Sequence, residues 1–246
     1  MNANDAMQIS RRRVLQSAAS LLLCALPLGA RAADARKGLR IGVIGSGRVG
    51  GTVGTLWVKA GHEVMFSSLD LEHDRKLAAS IGPGARAGTP KEAAAFGEVL
   101  FFAVPYAALP GLGRDLATEI KGKIVLDACN PIPGRDGPMA TEALAKGTGV
   151  ASPEFLPGAR IVRAYNEVGY SRMRDEAHRA GERLGIPLAG DDAEAVKTAV
   201  RLVQDAGHDP VVVGGLARAR EFDYGTPVFG RPMTAAELRQ ALGLKP

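Results

Sequence analysis

The sequence has few of the features that mark disulfide-stabilised, metal-binding or membrane-spanning proteins. Of its two cysteines, Cys24 lies in an N-terminal targeting pattern and Cys129 lies beyond it, which excludes a disulfide within the processed chain. The four histidines are scattered and show no metal-ligand spacing. The apolar run over residues 18–26 is too short for a stable membrane anchor, which needs roughly 20 apolar residues. Stability must therefore come from an apolar core.

Aromatic residues are also scarce, at 5% of the chain, and no lysine–arginine cluster interleaves with them. This composition argues against nucleic acid as a partner. The formal net charge of +5 is due mostly to residues 1–32, which contain four arginines and one aspartate. The remaining residues suffice for one large domain, or for one domain with a small appended lobe.

Residues 1–32 have the order of a cleaved twin-arginine signal rather than of a plain basic tail. Paired arginines in Ser10-Arg11-Arg12-Arg13-Val14-Leu15 precede the apolar run, and the A-x-A pattern of Ala30 and Ala32 predicts cleavage after Ala32. We therefore expect the protein to be exported to the periplasm, already folded, by the twin-arginine translocase. Diffusible cofactors made in the cytoplasm are not expected there, so an exported enzyme that uses one would have to bind it tightly.

Beyond the signal, short apolar runs alternate with helical patterns, as is typical of parallel strands joined by crossover helices. A charged helix is predicted at 173–184, Asp191-Asp192 are predicted to cap a later helix, and Thr234 is predicted to cap the last one. The predicted strands are residues 39–44, 63–67, 85–87, 99–104, 124–128, 159–164, 186–189 and 210–213.

A glycine-rich motif stands between the first predicted strand and the helix that follows it. Its sequence is Gly45-Ser46-Gly47-Arg48-Val49-Gly50, the G-x-G-x-x-G pattern of dinucleotide-binding folds. The first glycine permits a tight turn, the second lets a pyrophosphate approach the backbone, and the third lets helix and strand pack closely. A plain loop is the alternative, but the flanking strand and helix favour phosphate binding at the helix N-terminus.

These patterns predict a Rossmann-type α/β fold with a doubly wound, mostly parallel sheet. The expected domains are residues 33–170, which bind the dinucleotide, and residues 171–246, a small C-terminal α/β lobe that completes the sheet and the pocket. The apolar tail around Val228, Phe229, Leu238 and Leu242 fits either its own core or a second subunit, so a homodimer stays open.

The end of the second strand favours NADP(H) over NAD(H). An NAD-selective site normally has an acidic residue there to bind the ribose hydroxyls, whereas this chain has Ser67, Ser68 and Leu69. Two hydroxyls and no carboxylate leave room for a 2′-phosphate, with Arg48 as a candidate charge partner. In the alternative interpretation the serines merely form a turn and Arg48 is solvated.

Three further strand ends complete the predicted cofactor site, because ligands of open α/β sheets lie outside the carboxyl ends of the strands. The two prolines could instead simply end strands, the two tyrosines could cap the core, and Asn130 could close a turn. The tripeptides are Val104-Pro105-Tyr106, Cys129-Asn130-Pro131 and Ala164-Tyr165-Asn166, of which all residues except Cys129 are candidate cofactor contacts. Cys129 has no visible partner base and is interpreted as a small residue at a strand end.

These tripeptides and the glycine motif resemble the NADPH-dependent F-420 reductases, which reduce or oxidise a deazaflavin coenzyme, and their broader NADP oxidoreductase relatives. The runs at 122–127 and 156–160, ahead of Asn130-Pro131 and Tyr165-Asn166, carry much of the likeness. The sequence is also similar to the cytoplasmic reductase domain of the STEAP metalloreductases. The family usually has Ser-Arg after the second strand, and in this chain Leu69 stands in place of the arginine. Many relatives have Phe where this chain has Tyr165.

The resemblance implies an NADP(H)-dependent oxidoreductase that transfers a hydride between nicotinamide and a small-molecule electron acceptor, with a deazaflavin or flavin as co-substrate. Val104 and Pro105 would then line the nicotinamide ribose. Asn130, Pro131, Tyr165 and Asn166 would border the stacked acceptor, and Tyr165 would add a hydroxyl to the pocket. Such a site needs no catalytic triad, because the cofactor supplies the chemistry.

Two other functions are the alternatives, and the length of the chain argues against the first. Reductases of imines or hydroxy acids share the glycine motif but carry a large helical second domain, for which too few residues follow Ala189. A nucleotide-binding sensor or scaffold without catalysis would share the same fold.

Overall fold

The computed structural model describes residues 37–245. The signal predicted for residues 1–32, with its cleavage after Ala32, lies outside them. The strands are β1 (Arg40–Ile44), β2 (Glu63–Ser67), β3 (Ala85–Ala87), β4 (Val99–Phe102), β5 (Ile124–Asp127), β6 (Arg160–Arg163), β7 (Gly185–Gly190) and β8 (Asp209–Gly214).

The eight strands form one sheet in the order β3-β2-β1-β4-β5-β6-β7-β8. Every neighbouring pair is parallel except β6 and β7, which run antiparallel. The order reverses between β1 and β4, so their carboxyl ends flank the crevice in which ligands of such sheets bind. The Rossmann-type, mostly parallel sheet predicted from the sequence is confirmed. The division at residue 170 stays a prediction, although β7 and β8 extend the same sheet.

Helices cover both faces of this sheet. They are α1 (Arg48–Lys59), α2 (Leu71–Ile81), α3 (Pro90–Phe96), α4 (Leu109–Asp115), α5 (Ala117–Ile120), α6 (Pro133–Asp136), α7 (Pro138–Lys146), α8 (Thr148–Phe155), α9 (Tyr170–Asp175), α10 (Ala193–Asp205) and α11 (Ala235–Ala241). None of the described helices is long and apolar enough to cross a membrane.

The core has a cluster on each face of the sheet. On one face α1 and α10 pack together, and the buried Trp57 indole donates a hydrogen bond to the carbonyl of Leu202, 2.8 Å away. On the other face α3, α4, α7 and α8 cover β1, β4 and β5. A third cluster buries Val228 and Leu238 of the tail against β7 and β8. The tail therefore packs on its own chain.

The two predicted helix caps are confirmed. Asp192 accepts a hydrogen bond from the Ala195 N–H, and Thr234 forms a capping box with Glu237. Each arrangement satisfies N–H groups that a helix leaves without intrahelical partners.

The helix predicted at 173–184 is wrong, because α9 begins at Tyr170 and ends at Asp175. His178 adopts a left-handed backbone conformation with φ of 57°, and its N–H bonds the Gly207 carbonyl at 3.0 Å. This long-range contact replaces the helical hydrogen bond. The strand predicted at 99–104 ends earlier, at Phe102, which leaves Val104 and Pro105 in the loop beyond it.

Candidate dinucleotide-binding site

The glycine motif forms the turn from β1 into α1, and its three glycines meet different constraints. Gly45 has φ of 101°, and a Cβ there would lie 2.5 Å from the Ala103 carbonyl oxygen. At Gly50 a Cβ would lie 2.0 Å from the Gly45 carbonyl oxygen, while Val49, beside it, packs partly buried against the core. A Cβ at Gly47 would meet no protein atom within 4 Å. The fold itself thus requires Gly45 and Gly50, whereas Gly47 leaves an open approach to the backbone.

No side chain caps the N-terminus of helix α1. Gly47 is the N-cap, no side chain bonds the first N–H groups, and the first turn has no acidic residue. Those N–H groups carry the positive end of the helix dipole. An anionic phosphate placed beside Gly47 would therefore find donors and a favourable field.

The serines after β2 direct their hydroxyl groups into the protein. Ser67 is buried, and its Oγ donates to the Val43 carbonyl at 2.7 Å. Ser68 donates to both carboxylate oxygens of Asp74, at 3.0 and 2.9 Å. Asp74 lies in the first turn of α2, is fully buried, and also accepts a hydrogen bond from the hydroxyl of Ser46. One carboxylate thus joins the glycine motif to the end of β2.

Arg48, the candidate partner of a 2′-phosphate, packs on an aromatic ring instead of on the serines. Its guanidinium carbon lies 5.6 Å from the centre of the Tyr170 ring. Both residues line a cleft of about 460 Å³ beside the glycine motif, together with Lys59, His73 and Arg174. The structure therefore gives this side of α1 a basic surface, although Arg48 forms no bond to Ser67 or Ser68.

Beyond β4, the candidate residues separate into exposed and buried groups. Val104 is half-buried and Pro105 is exposed, so both are accessible at the carboxyl edge of the sheet. Tyr106 is fully buried, and its hydroxyl lies 3.2 Å from that of Ser152. Burial also raises the pKa of Tyr106. Its side chain packs in the core, as the alternative interpretation held.

Asn130 and Asn166 are brought together at the ends of β5 and β6. The Asn130 amide donates to the Asn166 carbonyl at 2.6 Å, and the Asn166 amide donates to the Phe222 carbonyl at 3.2 Å. Asn130 is half-buried, whereas Pro131 beside it is buried. The two residues, which the sequence predicted as site residues from two separate motifs, thus form a hydrogen-bonded polar pair at the carboxyl edge of the sheet.

The prediction that Tyr165 adds a hydroxyl to the pocket is wrong, because its side chain is buried in the core. The ring is buried between Trp57 and Phe101, and its hydroxyl lies 3.3 Å from Nδ1 of the buried His208. The adjacent Ala164 is also fully buried. Tyr165 has φ of 61°, an uncommon left-handed conformation for a bulky residue. This turn places the ring in the core while Asn166 faces Asn130.

The loop after Asn130 is tied down by an ionic contact. Arg135 donates to the Asn130 carbonyl at 2.7 Å and pairs with Asp136 at 2.8 Å. Asp136 also accepts the N–H groups of Ile132 and Ala107. Burial would raise the pKa of Asp136, but these hydrogen bonds outweigh it and lower the pKa. The loops after β4 and β5 are thereby fixed to each other.

A buried ionic cluster beneath Asn130 was missed from the sequence. Arg163 is fully buried and lies 2.9 Å from the Asp127 carboxylate and 3.3 Å from that of Asp223. It also donates to the Cys129 carbonyl at 2.9 Å. Burial alone would lower the pKa of Arg163, but the two carboxylates raise it. The signal available was a charged residue in each of two buried apolar strands.

A buried carboxyl group next to Asn166 was also missed. Both side-chain oxygens of Glu167 are buried without a hydrogen-bond partner, as are Oδ1 of Asn166 and Oγ1 of Thr226. Burial raises the pKa of Glu167 to about 8. The segment after β6 therefore contains buried oxygen atoms that receive no hydrogen bond from the protein.

No group of three or more histidine, cysteine, aspartate or glutamate side chains is placed to hold a metal ion within residues 37–245. Cys129 is buried, which raises the pKa of its thiol and makes it unreactive.

Residues 40–131 match the model of a protein family described as NADP oxidoreductase, coenzyme F420-dependent. The F420-dependent NADP reductase of Methanothermobacter thermautotrophicus is 26% identical over 205 residues, which cover 78% of this chain and 88% of that enzyme. The family resemblance is confirmed. A crystal structure from Arthrobacter sp. FB24, of a protein assigned as an F420-dependent NADP reductase, is similar with a TM-score of 0.66 at 26% identity. It covers 84% of this chain and 96% of that chain.

The metalloreductase STEAP3 of Rattus norvegicus is 28% identical over 215 residues. These cover 83% of this chain and 40% of the rat protein, so this chain spans less than half of that relative. Together these relatives support an NADP-dependent oxidoreductase, the class that the resemblance implied.

Proposed function

We propose that the protein is an NADP(H)-dependent oxidoreductase that passes a hydride between the nicotinamide and a stacked small-molecule acceptor of the deazaflavin or flavin type. The observation that carries this proposal is the glycine turn at the uncapped N-terminus of α1, with open space beside Gly47. A dinucleotide pyrophosphate fits this turn in shape and in charge.

The other end of the site supports the same assignment. From the glycine turn, the ends of β4, β5 and β6 lead to Val104, Pro105, Asn130 and Asn166. When bound, the nicotinamide supplies the hydride chemistry, so the protein needs only to orient the reactants and exclude water. Asn166 offers an unpartnered buried oxygen at this end, which suits a ligand with an N–H donor.

The proposal is tested with purified protein by following the absorbance of NADPH with deazaflavin, flavin and ferric acceptors in turn. Oxidation of NADPH with one acceptor would support the proposal and identify the acceptor class. Tight nucleotide binding with no turnover on any acceptor would instead favour a sensor or scaffold.

Substitution of Gly47 with alanine tests the binding mode itself. A Cβ at Gly47 meets no protein atom, so the fold should be unaffected, but the methyl group would obstruct a bound pyrophosphate. We expect NADPH to bind at least about tenfold more weakly, or about 1.4 kcal/mol, in isothermal titration calorimetry. Gly111→Ala in α4 is the matched control, since a Cβ there likewise meets no protein atom within 4 Å. Equal affinities of the two variants would contradict pyrophosphate binding at this turn.

We further propose that residues 1–32 direct export by the twin-arginine route, and that the nucleotide is bound in the cytoplasm and retained. The conservative double substitution Arg11→Lys with Arg12→Lys should shift the full chain from the periplasmic to the cytoplasmic fraction of expressing cells. Arg31→Lys, which leaves the arginine pair intact, should not. An unchanged distribution for the double variant would contradict the proposed route, and nucleotide-free periplasmic protein would contradict retention.

A further inference from the structure

The hydrogen bonds at the end of β2 determine what this edge of the site offers to a ligand. A 2′-phosphate carries about two negative charges and needs donors or cations, whereas a ribose 2′-hydroxyl also binds to an acceptor. The hydroxyl hydrogens of Ser46, Ser67 and Ser68 are all used within the protein. Ser46 and Ser67 are buried, so only the half-buried Ser68 reaches the surface, where it leaves oxygen lone pairs and no hydroxyl donor for the cofactor.

Directly behind Ser46 and Ser68 the charge is also unfavourable for a phosphate, although Arg48 and His73 line the cleft beside α1. Asp74 is fully buried behind Ser46 and Ser68, whose hydroxyl groups donate hydrogen bonds to it. A buried carboxylate is weakly screened by solvent. It would therefore repel a phosphate bound against Ser68.

The position that could compensate this charge holds an apolar side chain. Leu69 directly follows Ser68 and is fully exposed, at 106% of its reference area, so it contributes nothing to the core. Arg48, the nearest cation along the glycine motif, packs on Tyr170.

We infer that Asp74 and Leu69 relax the cofactor specificity of this chain, so that NADH is bound nearly as well as NADPH. Asp74 acts by fixing the two serine hydroxyls toward itself and by its charge, and Leu69 acts by supplying no cation. This inference rests on the proposed function, because it concerns the ribose end of the same dinucleotide site.

The test is the ratio of the dissociation constants for NADH and NADPH, measured by calorimetry on the purified protein. The wild-type ratio is expected to stay below about tenfold, or about 1.4 kcal/mol. Leu69→Arg adds a cation at an exposed position and is expected to raise the ratio at least about tenfold by tightening NADPH binding alone. Leu69→Met, which is of similar length and has neither a charge nor a hydrogen-bond donor, is the matched control and should leave the ratio unchanged.

Asp74→Asn keeps the shape of the side chain while removing its charge. It should also raise the ratio in favour of NADPH, whereas a variant that is merely less well folded would weaken both nucleotides alike. A wild-type ratio above about tenfold would overturn the inference, and so would a ratio that responds neither to Leu69→Arg nor to Asp74→Asn. Failure to bind either nucleotide would instead refute the dinucleotide site itself.

Discussion

Replacement of Arg163 with methionine is expected to lower the free energy of unfolding by about 3–5 kcal/mol, as is typical when one partner of a buried ion pair is removed. The side chain is fully buried and pairs with Asp127 and Asp223. Without the guanidinium, both carboxylates would lose their partner in a medium that solvates charge poorly. Urea unfolding monitored by circular dichroism would measure the loss.

Arg160 provides a matched control on the same strand. It pairs with Asp192 at 2.6 Å, but both side chains are more than a third exposed. Exposed ion pairs contribute little because water and salt screen them, so Arg160→Met should cost much less. Similar losses for the two variants would contradict the view that burial makes the Arg163 cluster important.

The Arg163 cluster also links stability to the candidate site. Arg163 holds the Cys129 carbonyl directly, and its second nitrogen lies 3.4 Å from the Asn130 side-chain oxygen. Asp223 belongs to the tail and also binds Thr148 at the start of α8, 2.6 Å from its hydroxyl. The orientation of Asn130 therefore depends on residues from three separate parts of the chain.

The strands could be predicted because buried parallel strands appear as continuous apolar runs. The strand predicted at 63–67, whose apolar run is Val64 to Phe66, matches the bounds of β2. The helix at 173–184 could not be predicted correctly, because a contact between His178 and Gly207 ends it. Local periodicity contains no information about a partner that lies so far along the chain.

Of the residues at the candidate site, some could likewise be predicted from the sequence and others could not. The glycine motif could be predicted because the constraints on Gly45 and Gly50 are set by the turn and the chain close to it, such as the approach of Gly50 to the Gly45 carbonyl. The location of Tyr165 could not, because one left-handed residue turns its ring from the sheet edge into the core. Asp74 was missed since it lies in the first turn of α2, beyond the residues that directly follow β2, where no strand-end rule applies.

Glu167 gives the structure an unusual dependence on pH. Burial raises its pKa from an ordinary value of 4.5 to about 8, and the nearby charge of Arg163 lowers it only in part. The folded state thus keeps the proton between these two values, whereas the unfolded state releases it. The contribution of Glu167 to folding stability is therefore greatest below about pH 4.5, and it is lost as pH rises to about 8.

Glu167→Gln is expected to remove this decline, because the amide has nearly the same shape and does not ionise. At about 1.4 kcal/mol per pKa unit, the variant should match the wild type near pH 5 and exceed it by several kcal/mol at pH 8. Urea unfolding midpoints measured at intervals across this range would show the divergence. Burial lowers the pKa values of His62 and His208, so these two residues make folding more favourable as pH rises. They do so equally in the wild type and the variant, and the difference between the two stability profiles therefore reports Glu167. The exposed Glu142→Gln should follow the wild type, and a Glu167→Gln profile parallel to the wild type would refute a buried, protonated Glu167.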